Sequence, residues 1–591
     1  MTRISHALLA GLAFLGLAAC GAGPAPPPSS AANVAVPRDR LNRIAERYWD
    51  EHAASRDPIA PQALADSLGH ERRDLAELLA VPPVGLDPDS RLSYDILRRR
   101  LELDIEGFTY PAELMPVNPF EGMPQQLARF AEETAQHPLK TAKDYENWLL
   151  QIDAYAAWTR QAMANMREGV RRGYTSPRSV MERTLPLLQS LGEDRDDNVF
   201  YGPQRTMPQT LDASERARLA QSLGAAVKDK LLPANRQLHD FIQGEYLPRA
   251  RPSMALSDLP LGASWYAFRV KRATGTQLTP NEIHAVGLAE VERLRTRLAA
   301  LPAAAGGATG AATGAGAAPA AAAGPGAAAS ASAGVPRIGI QDLVSGYQAL
   351  KADTLSALPA LFSAVPSADF EIREFVSAGE AAAPLIYQPA APDGGSMAVL
   401  YVSAARAGMP PGVDAAGFFR EAVPGRHYQS ALQRERADLP KFRRFGDDPA
   451  FVQGWALYAA SLGEELGLIR DDEAKRGVLI GELTCAAALV VDTGLHAKGW
   501  TRTQAVDYLR AQLSDDAAGA NLAVDRFAAL PGDALACKIG ELKIRALRNR
   551  AQTAMGARFD IHEFHSQILK DGAMPLDILE AKMKRWMEAR P

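Results

Sequence analysis

The stretch Thr141–Gly173, TAKDYENWLLQIDAYAAWTRQAMANMREGVRRG, indicates the fold class of this chain. Its large apolar side chains recur at spacings of mostly three and four residues, at Trp148, Ile152, Tyr155, Met163, Met166 and Val170. Such spacing places the side chains on one face of a helix. Gly173 suits the C-terminal cap, because glycine tolerates the left-handed conformation common there. The stretch therefore predicts one long amphipathic helix.

Helical patterns continue along the rest of the chain. Signals for a helix start occur at three further places: Thr279-Pro280…Glu282, Thr501…Gln504 and Asp560…Glu563. Strand-like alternation is confined to short pieces, chiefly Leu385–Gln388 and Met397–Ser403. These patterns predict a mainly α protein with one small β-sheet.

The composition excludes several classes of protein. The chain has 591 residues, of which 47% are hydrophobic, so it can bury a large core. Lys and Arg number 65 against 69 Asp and Glu, which gives a formal net charge of -4. A nucleic-acid binder would carry a concentrated positive charge, so no nucleic-acid partner is expected. Three cysteines are too few for a disulfide framework or a cysteine-based structural zinc site.

The N-terminus has the pattern of an export signal. Arg3 precedes the run Ala7–Ala19, in which every residue is apolar or glycine. This run is shorter than the roughly 20 residues that span a bilayer, but it fits the core of a signal peptide. Leu17-Ala18-Ala19-Cys20 resembles a bacterial lipobox, which implies cleavage of residues 1–19 and acylation of Cys20. Ordinary secretion with a coincidental cysteine is the alternative.

The segment that follows Cys20 predicts how the folded part of the chain is attached to a membrane. Residues 20–37 are rich in Pro, Ala and Ser and are interpreted as a tether between the lipidated cysteine and the folded part. Gly21, rather than Asp, follows Cys20, and this favours the outer membrane over the inner one. The expected location is therefore the cell envelope, with the protein lipid-anchored and facing the periplasm.

Residues 303–334 interrupt the helical pattern. The segment contains only Ala, Gly, Ser, Thr and Pro, and it cannot bury enough apolar area to offset the entropy lost on ordering. The preferred interpretation is a disordered insertion within one domain that extends over residues 38–591. A linker between two domains is the alternative.

Three motifs in the C-terminal half carry a family resemblance. They read FREAVPGRHYQ at Phe419–Gln429, FVQGWALYAA at Phe451–Ala460 and VVDTGLHAKGW at Val490–Trp500. Together they resemble the bacterial "domain of unknown function 885" family, itself similar to zinc metallopeptidases of the gluzincin type. The resemblance implies a large helical zincin-like domain with a deep central cleft. It also implies that Met397–Ser403 is an edge strand that borders this cleft.

The motifs depart from the family pattern at several positions. The family reads H-E-A-x-P-G-H-H-x-Q, whereas the first and second of its three histidine positions are arginine here, at Arg420 and Arg426. Of the histidine and glutamate positions of this motif, only Glu421 and His427 are retained. The next motif has Gln453 and Ala460 where the family has Glu. Cys485 and Ala488 replace Arg, and Phe527 and Cys537 replace Tyr.

These departures argue against a catalytic zinc ion. Such a site needs three protein ligands and leaves one position for water. Arginine has no lone pair to give, and the neutral amide of Gln453 replaces a carboxylate poorly. His427 is the one retained ligand-type residue of the motif, and Glu421 would be a vestigial general base. We therefore expect no metal and an inactive pseudoenzyme that binds peptides or a protein partner.

Two other functions are considered. One is an active metal-dependent peptidase that binds zinc through non-standard ligands. The other is a structural envelope lipoprotein that uses the fold as a rigid body.

The replaced residues suggest a role of their own. Arg420 and Arg426 could pair with Glu421 in the old metal cavity, or hold an anionic group such as a peptide carboxylate. Alternatively, one or both turn towards solvent. Cys485 and Cys537 are interpreted as two separately buried thiols, with a disulfide or a catalytic Cys–His pair as alternatives.

The remaining candidate residues are predicted to have either a functional role or a packing role. His496 fits a role in the family site and a hydrogen-bonded position in the core equally well. Asp492 could orient His496 or cap a turn. His565, Trp455 and Tyr458 are interpreted as packing residues.

Overall fold

A computed structural model describes residues 37–54, 59–136, 139–302, 339–375, 385–392, 394–403, 413–513 and 517–589. The predicted signal peptide 1–19, the lipidation site Cys20 and the insertion 303–334 lie outside these residues. The predicted tether also lies outside them, except for Pro37, which begins the first helix.

Eleven α-helices precede residue 303 in the described part of the chain. They are α1 (Pro37–Ala54), α2 (Pro61–Leu79), α3 (Pro88–Gly107), α4 (Met123–Gln136), α5 (Ala142–Arg172), α6 (Arg178–Gly192), α7 (Gly202–Arg205), α8 (Ala213–Ala226), α9 (Leu232–Phe241), α10 (Gly262–Thr274) and α11 (Pro280–Ala299). The helix predicted from Thr141–Gly173 is α5. Thr141 and Asp144 form a capping box at its start, and Gly173 ends it at a φ of 81°.

Eleven more helices and a small sheet follow residue 338 in the described part. The helices are α12 (Ile340–Ala357), α13 (Ala415–Glu421), α14 (Arg426–Glu435), α15 (Lys441–Arg444), α16 (Pro449–Ser461), α17 (Asp472–Ala497), α18 (Arg502–Leu513), α19 (Ala517–Ala529), α20 (Leu535–Met555), α21 (Ile561–Leu569) and α22 (Leu576–Glu588). The strands are β1 (Phe370–Phe375), β2 (Leu385–Gln388) and β3 (Ala398–Ser403). The prediction of a mainly α fold with a small sheet is confirmed.

The sheet corrects one prediction about its strands. Its order is β1-β3-β2, with β1 parallel and β2 antiparallel to β3. The predicted edge strand at Met397–Ser403 is therefore wrong, since β3 lies in the centre. All six residues of β3 are buried, as expected of a continuous apolar strand covered on both faces. A peptide cannot add to β3, because neighbouring strands already use both of its edges.

The centre of the C-terminal half is a close packing of α16, α17 and α20. The axes of α16 and α20 approach at Gly454 and Gly540, where a Cβ atom on Gly540 would lie 1.9 Å from the carbonyl oxygen of Ala450. Any side chain at Gly540 would therefore push these helices apart. The crossing holds Leu457 of α16 against Cys537 of α20 and Cys485 of α17.

Helix α17 is long and apolar enough to cross a membrane. However, 83% of its most apolar window is buried against the rest of the protein. We therefore describe α17 as a core helix.

Candidate functional site

The turn between α13 and α14 brings the first motif together. Gly425 permits the turn, because a Cβ atom there would lie 2.0 Å from the carbonyl oxygen of Arg420. The turn contains a cis peptide bond between Val423 and Pro424. The indole nitrogen of Trp455 donates a hydrogen bond of 2.9 Å to the carbonyl oxygen of Pro424. This packing fixes the start of α14 beside the end of α13.

Glu421 lies between two guanidinium groups. Its side chain is buried, and Nη1 of Arg426 donates a hydrogen bond of 3.3 Å to one carboxylate oxygen. Nε of Arg420 lies 3.7 Å from the other oxygen. Arg420 is almost fully buried, whereas Arg426 is about one-third exposed. Of the arrangements considered from the sequence, the structure shows the one in which both arginines contact Glu421.

Cys485 and Cys537 form a disulfide, so the interpretation of two separate thiols is wrong. The packing of α17 against α20 places their Cα atoms 6.1 Å apart, across 52 residues of sequence. A catalytic Cys–His pair is also excluded, since neither sulfur carries a free thiol. The guanidinium group of Arg420 rests on the disulfide, with nitrogens 3.5 Å from Sγ of Cys537 and 3.9 Å from Sγ of Cys485.

Gln453 belongs to the same region of α16. It is half-buried and precedes Leu457, which packs on the disulfide, by one helical turn. Residues four apart share a helix face, so Gln453 lies on the side of α16 that faces the disulfide.

His427 is held by the sheet region. Its Nε2 donates a hydrogen bond of 3.2 Å to the carbonyl oxygen of Ala368, and its Nδ1 accepts one of 3.2 Å from the hydroxyl of Tyr387. The ring also packs on Phe370 at a centroid distance of 4.4 Å. Burial lowers the pKa of His427 to about 4, so the ring is neutral and both nitrogens are engaged.

His496 is a core residue. It lies eleven residues after Cys485 on α17, about 16 Å further along the helix. Its Nδ1 accepts a hydrogen bond of 2.9 Å from the amide of Leu256, and its Nε2 donates one of 2.9 Å to the carbonyl oxygen of Phe527. Burial lowers the pKa of His496 to about 3. Of the two roles left open by the sequence, the geometry favours the structural one.

Two other candidates also have structural partners. Asp492 accepts hydrogen bonds from the hydroxyl of Tyr266 at 2.6 Å and from the amide of Gly532 at 3.0 Å, so it caps a turn. Burial raises the pKa of Asp492 to about 7. His565 lies between the hydroxyl of Tyr458 and the carbonyl oxygen of Leu361, at 2.9 Å from each. This agrees with its interpretation as a packing residue.

Comparison with known proteins places the chain in a family. The family described as "Bacterial protein of unknown function (DUF885)" matches residues 46–583.

The chain belongs to the DUF885 family.

A crystal structure of a proposed lipoprotein from Colwellia psychrerythraea is similar in fold, with a TM-score of 0.81 at 21% identity. That match covers 94% of this chain and 100% of the other. A proposed lipoprotein of unknown function from Shewanella oneidensis has a TM-score of 0.64 at 15% identity, with 93% and 100% covered. No curated protein matches the chain significantly.

The residues that this DUF885 chain brings together do not fit a catalytic zinc ion. A zinc site of this type needs three histidine or carboxylate ligands. Glu421 is the one carboxylate within 4.0 Å of either motif arginine in the described part of the chain. His427 and His496 use both ring nitrogens elsewhere, and the two cysteines are oxidised.

A network of buried charged side chains lies next to the disulfide and was not predicted from the sequence. Lys538 is fully buried, and its Nζ lies 2.9 Å from Glu541, 3.0 Å from Glu290 and 3.4 Å from Glu482. Arg545 contacts both Glu482 and Glu541, and Arg293 contacts Glu290 and Glu482. Three carboxylates therefore face three cations. The spacing of Lys538, Glu541 and Arg545, which places them on one face of α20, was the available signal.

A second cluster of polar side chains was also not predicted from the sequence. Ligand atoms of His52, Glu71 and Asp104 lie within 4.8 Å of one another, close enough to hold a metal ion. These groups already have partners, because His52 lies 3.3 Å from Glu71 and Arg272 lies 3.0 Å from Asp104. We interpret the cluster as an ion-pair group that joins the first helices to α10.

The predicted central cleft stays a prediction. Two cavities in the described part of the chain have volumes of about 270 and 180 Å³, and neither of these two is lined by Glu421, Arg420 or Arg426. Residues 376–384 and 404–412, which follow β1 and β3 in sequence, lie outside the described residues.

Replacing Glu421 with Gln should lower the free energy of unfolding by about 2 kcal/mol. The change leaves the buried guanidinium of Arg420 without its carboxylate partner, while Arg426 can turn to solvent. Urea denaturation followed by circular dichroism measures the effect. The double variant Glu421→Gln/Arg420→Met should recover part of the loss, because the unpaired buried charge is removed. Equal stability of Glu421→Gln and the parent would contradict this.

Proposed function

We propose that this chain is a membrane-anchored, catalytically inactive member of the DUF885 family that binds an extended peptide or a segment of a partner protein. The observation that carries the proposal is the arrangement around Glu421. Two arginines occupy the positions where the family motif has histidine, and both contact this carboxylate. A disulfide and the buried guanidinium of Arg420 fill the neighbouring space.

Inactivity follows from the chemistry of these groups. A metal ion would lower the pKa of a bound water towards about 7 and give Glu421 a proton to accept. Guanidinium groups supply positive charge but no coordination site, so they attract an anion without activating water. The arrangement therefore supports binding more than hydrolysis.

Anchoring rests on the N-terminal sequence and on the structural relatives. The lipobox-like Leu17–Cys20 precedes a tether of the length that would separate a folded domain from a bilayer. Both similar solved structures are of proposed lipoproteins, and each match covers nearly the whole of this chain. These observations support a location in the cell envelope, with the protein held through acylated Cys20 and the outer membrane favoured.

The outer edge of β1 is the surface that we assign to the peptide. Among the described strands β1 pairs only with β3, and the cavity of about 270 Å³ lies between it and α12. Nζ of Lys351 donates a hydrogen bond of 2.7 Å to the carbonyl oxygen of Phe370, which therefore points away from β3. Ile372, two residues on, presents its backbone groups on the same side. An added strand could pair with the backbone groups of Ile372.

One set of measurements on the full-length protein in detergent tests both parts of the proposal. Protein purified without chelator or metal-affinity tag should hold far less than one zinc per chain, even after incubation with excess zinc and dialysis. It should bind peptides from a fluorescein-labelled random heptapeptide library without cleaving them. Ile372→Pro, which removes the outward amide, should weaken binding at least tenfold relative to Ile372→Ala, which removes the same side chain.

Two results would overturn the proposal. Stoichiometric zinc together with hydrolysis that a chelator abolishes would restore the active peptidase with non-standard ligands. Equal peptide affinity of Ile372→Pro and Ile372→Ala would remove β1 from the binding surface.

A further inference from the structure

The second cavity, of about 180 Å³, lies between the start of α6, helix α10 and the end of α19. Part of its wall is apolar and is formed by Val180, Leu256 and Trp265. Two arginines, Arg251 and Arg269, line the same cavity. A small space that combines an apolar wall with a few polar groups is the usual form of a ligand site.

The protein provides hydrogen-bond acceptors for only part of the Arg251 guanidinium group. Its Nε donates a hydrogen bond of 3.1 Å to the carbonyl oxygen of Ser253, and its Nη1 donates to the carbonyl oxygen of Thr175. Its Nη2 has no hydrogen-bond partner among the described residues. Burial lowers the pKa of Arg251 to about 10, which reflects the cost of holding this charge away from water.

The guanidinium group of Arg269 also has few hydrogen-bond partners in the described part of the chain. Its Nε donates a hydrogen bond of 3.0 Å to the carbonyl oxygen of Pro531, and neither terminal nitrogen has a partner in the described part of the chain. Burial also lowers the pKa of Arg269, although Asp533 and Glu121 partly offset the shift. Neither carboxylate lies within 4.0 Å of the guanidinium, and Glu121 is already paired with Arg526 at 3.1 Å.

The contrast with Lys538 shows what these two arginines lack. Lys538 is a buried cation with three carboxylates in direct contact. Neither Arg251 nor Arg269 has a carboxylate oxygen within ion-pair distance among the described residues. Both arginines are half-buried, and a charge that is partly withdrawn from water is normally paired.

We propose that Arg251 and Arg269 form a binding site for the carboxylate of a small apolar acid. Guanidinium groups bind carboxylates through parallel hydrogen bonds. The apolar part of the ligand packs on Trp265 and Val180. The cavity is smaller than the roughly 300–1,000 Å³ of sites for drug-sized ligands, so the occupant is about as large as one amino-acid residue. A free acid and the C-terminal residue of a peptide present the same chemistry.

Titration calorimetry on the full-length protein tests this site with defined probes. The probes are 4-methylpentanoate, its neutral amide 4-methylpentanamide, N-acetyl-leucine, N-acetyl-leucinamide and inorganic phosphate. Each acid should bind at least tenfold more tightly than its amide. Binding of N-acetyl-leucine alone would identify a peptide C-terminus as the source, and binding of 4-methylpentanoate would identify a free acid. Equal affinity for acid and amide, or binding of phosphate alone, would overturn the proposal.

Variants locate the site. Arg269→Gln and Arg251→Gln should each weaken acid binding at least tenfold. Arg178→Gln, a change at an exposed arginine near the cavity that lies 3.9 Å from Glu182, should leave it unchanged. Quenching of tryptophan fluorescence by the acid should disappear in Trp265→Phe. Unchanged acid binding by a folded Arg269→Gln/Arg251→Gln double variant would overturn the assignment, and circular dichroism checks the fold.

Discussion

Replacement of Lys538 by Met should lower the free energy of unfolding by about 3–5 kcal/mol. The substitution keeps the length and apolar stem of the side chain but removes the ammonium group that contacts Glu290, Glu482 and Glu541. Glu482 and Glu541 are as buried as Lys538, so water cannot replace the lost partner. Urea denaturation of both proteins at neutral pH measures the difference.

Lys543→Met is the matched control. This lysine belongs to the same helix and pairs with Glu580 at 2.6 Å, but its side chain is 25% exposed. The control should cost no more than about 1 kcal/mol. Similar losses for the two variants would show that burial of the network contributes nothing beyond an ordinary surface ion pair.

The network also fixes a pH window for its stabilising effect. Burial alone would lower the pKa of Lys538, but the surrounding carboxylates outweigh this effect and raise the pKa above its ordinary value of 10.5. Burial likewise opposes ionisation of Glu482, but Lys538, Arg545 and Arg293 lower the pKa of this carboxyl below 4.5. Stability from Lys538 is lost as pH rises through its raised pKa, and stability from Glu482 is lost as pH falls through its lowered pKa. The difference between parent and Lys538→Met should therefore be largest between these limits.

Removal of the disulfide should have a comparable effect. The bond closes a loop of 52 residues, and the chain-entropy relation gives a stabilisation of about 4 kcal/mol for that length. Cys485→Ser/Cys537→Ser should lose about this amount in urea denaturation. Each single variant should lose a similar amount, since either change breaks the same bond. Losses of the single variants that add up in the double variant would contradict the pairing, as would two free thiols in the denatured, unreduced parent in addition to any from Cys20.

Local patterns were sufficient to predict the mainly α fold class, helix α5 and the first residues of three further helices. The capping boxes at Thr141–Asp144 and Thr279–Glu282 involve residues three apart, so the chain around them carries the whole signal. The spacing of apolar residues along α5 likewise indicates that they lie on one face of the helix. These features need no knowledge of distant residues, and the fold class followed from them.

The sheet was harder because its strands are short and their order depends on distant contacts. Leu385–Gln388 is β2, and Met397–Ser403 contains β3, but β1 was missed. The alternation of Phe370 and Ile372 with Glu371 and Arg373 was its signal. The continuous apolar run of β3 indicated burial on both faces and hence a central strand, whereas the family resemblance suggested an edge.

For the site, the sequence predicted residue types but not partners. The loss of two histidines at Arg420 and Arg426 was visible in the motif. That Cys485 meets Cys537 depends on how α17 packs against α20, which no local pattern reports. His496 could not be assigned either, because its partners come from residues 256 and 527.

The apolar character of α17 bears on how the proposed lipoprotein would reach the envelope. An exported chain passes through the translocation channel unfolded, and a segment this hydrophobic can leave the channel sideways and lodge in the bilayer. Glu482 and Asp492 interrupt the apolar run, and a charged side chain at the centre of a membrane helix costs about 2.5–3.5 kcal/mol. If the protein is exported as we propose, the carboxylates that contact Lys538 and the amide of Gly532 in the folded protein would also help α17 to cross the inner membrane completely.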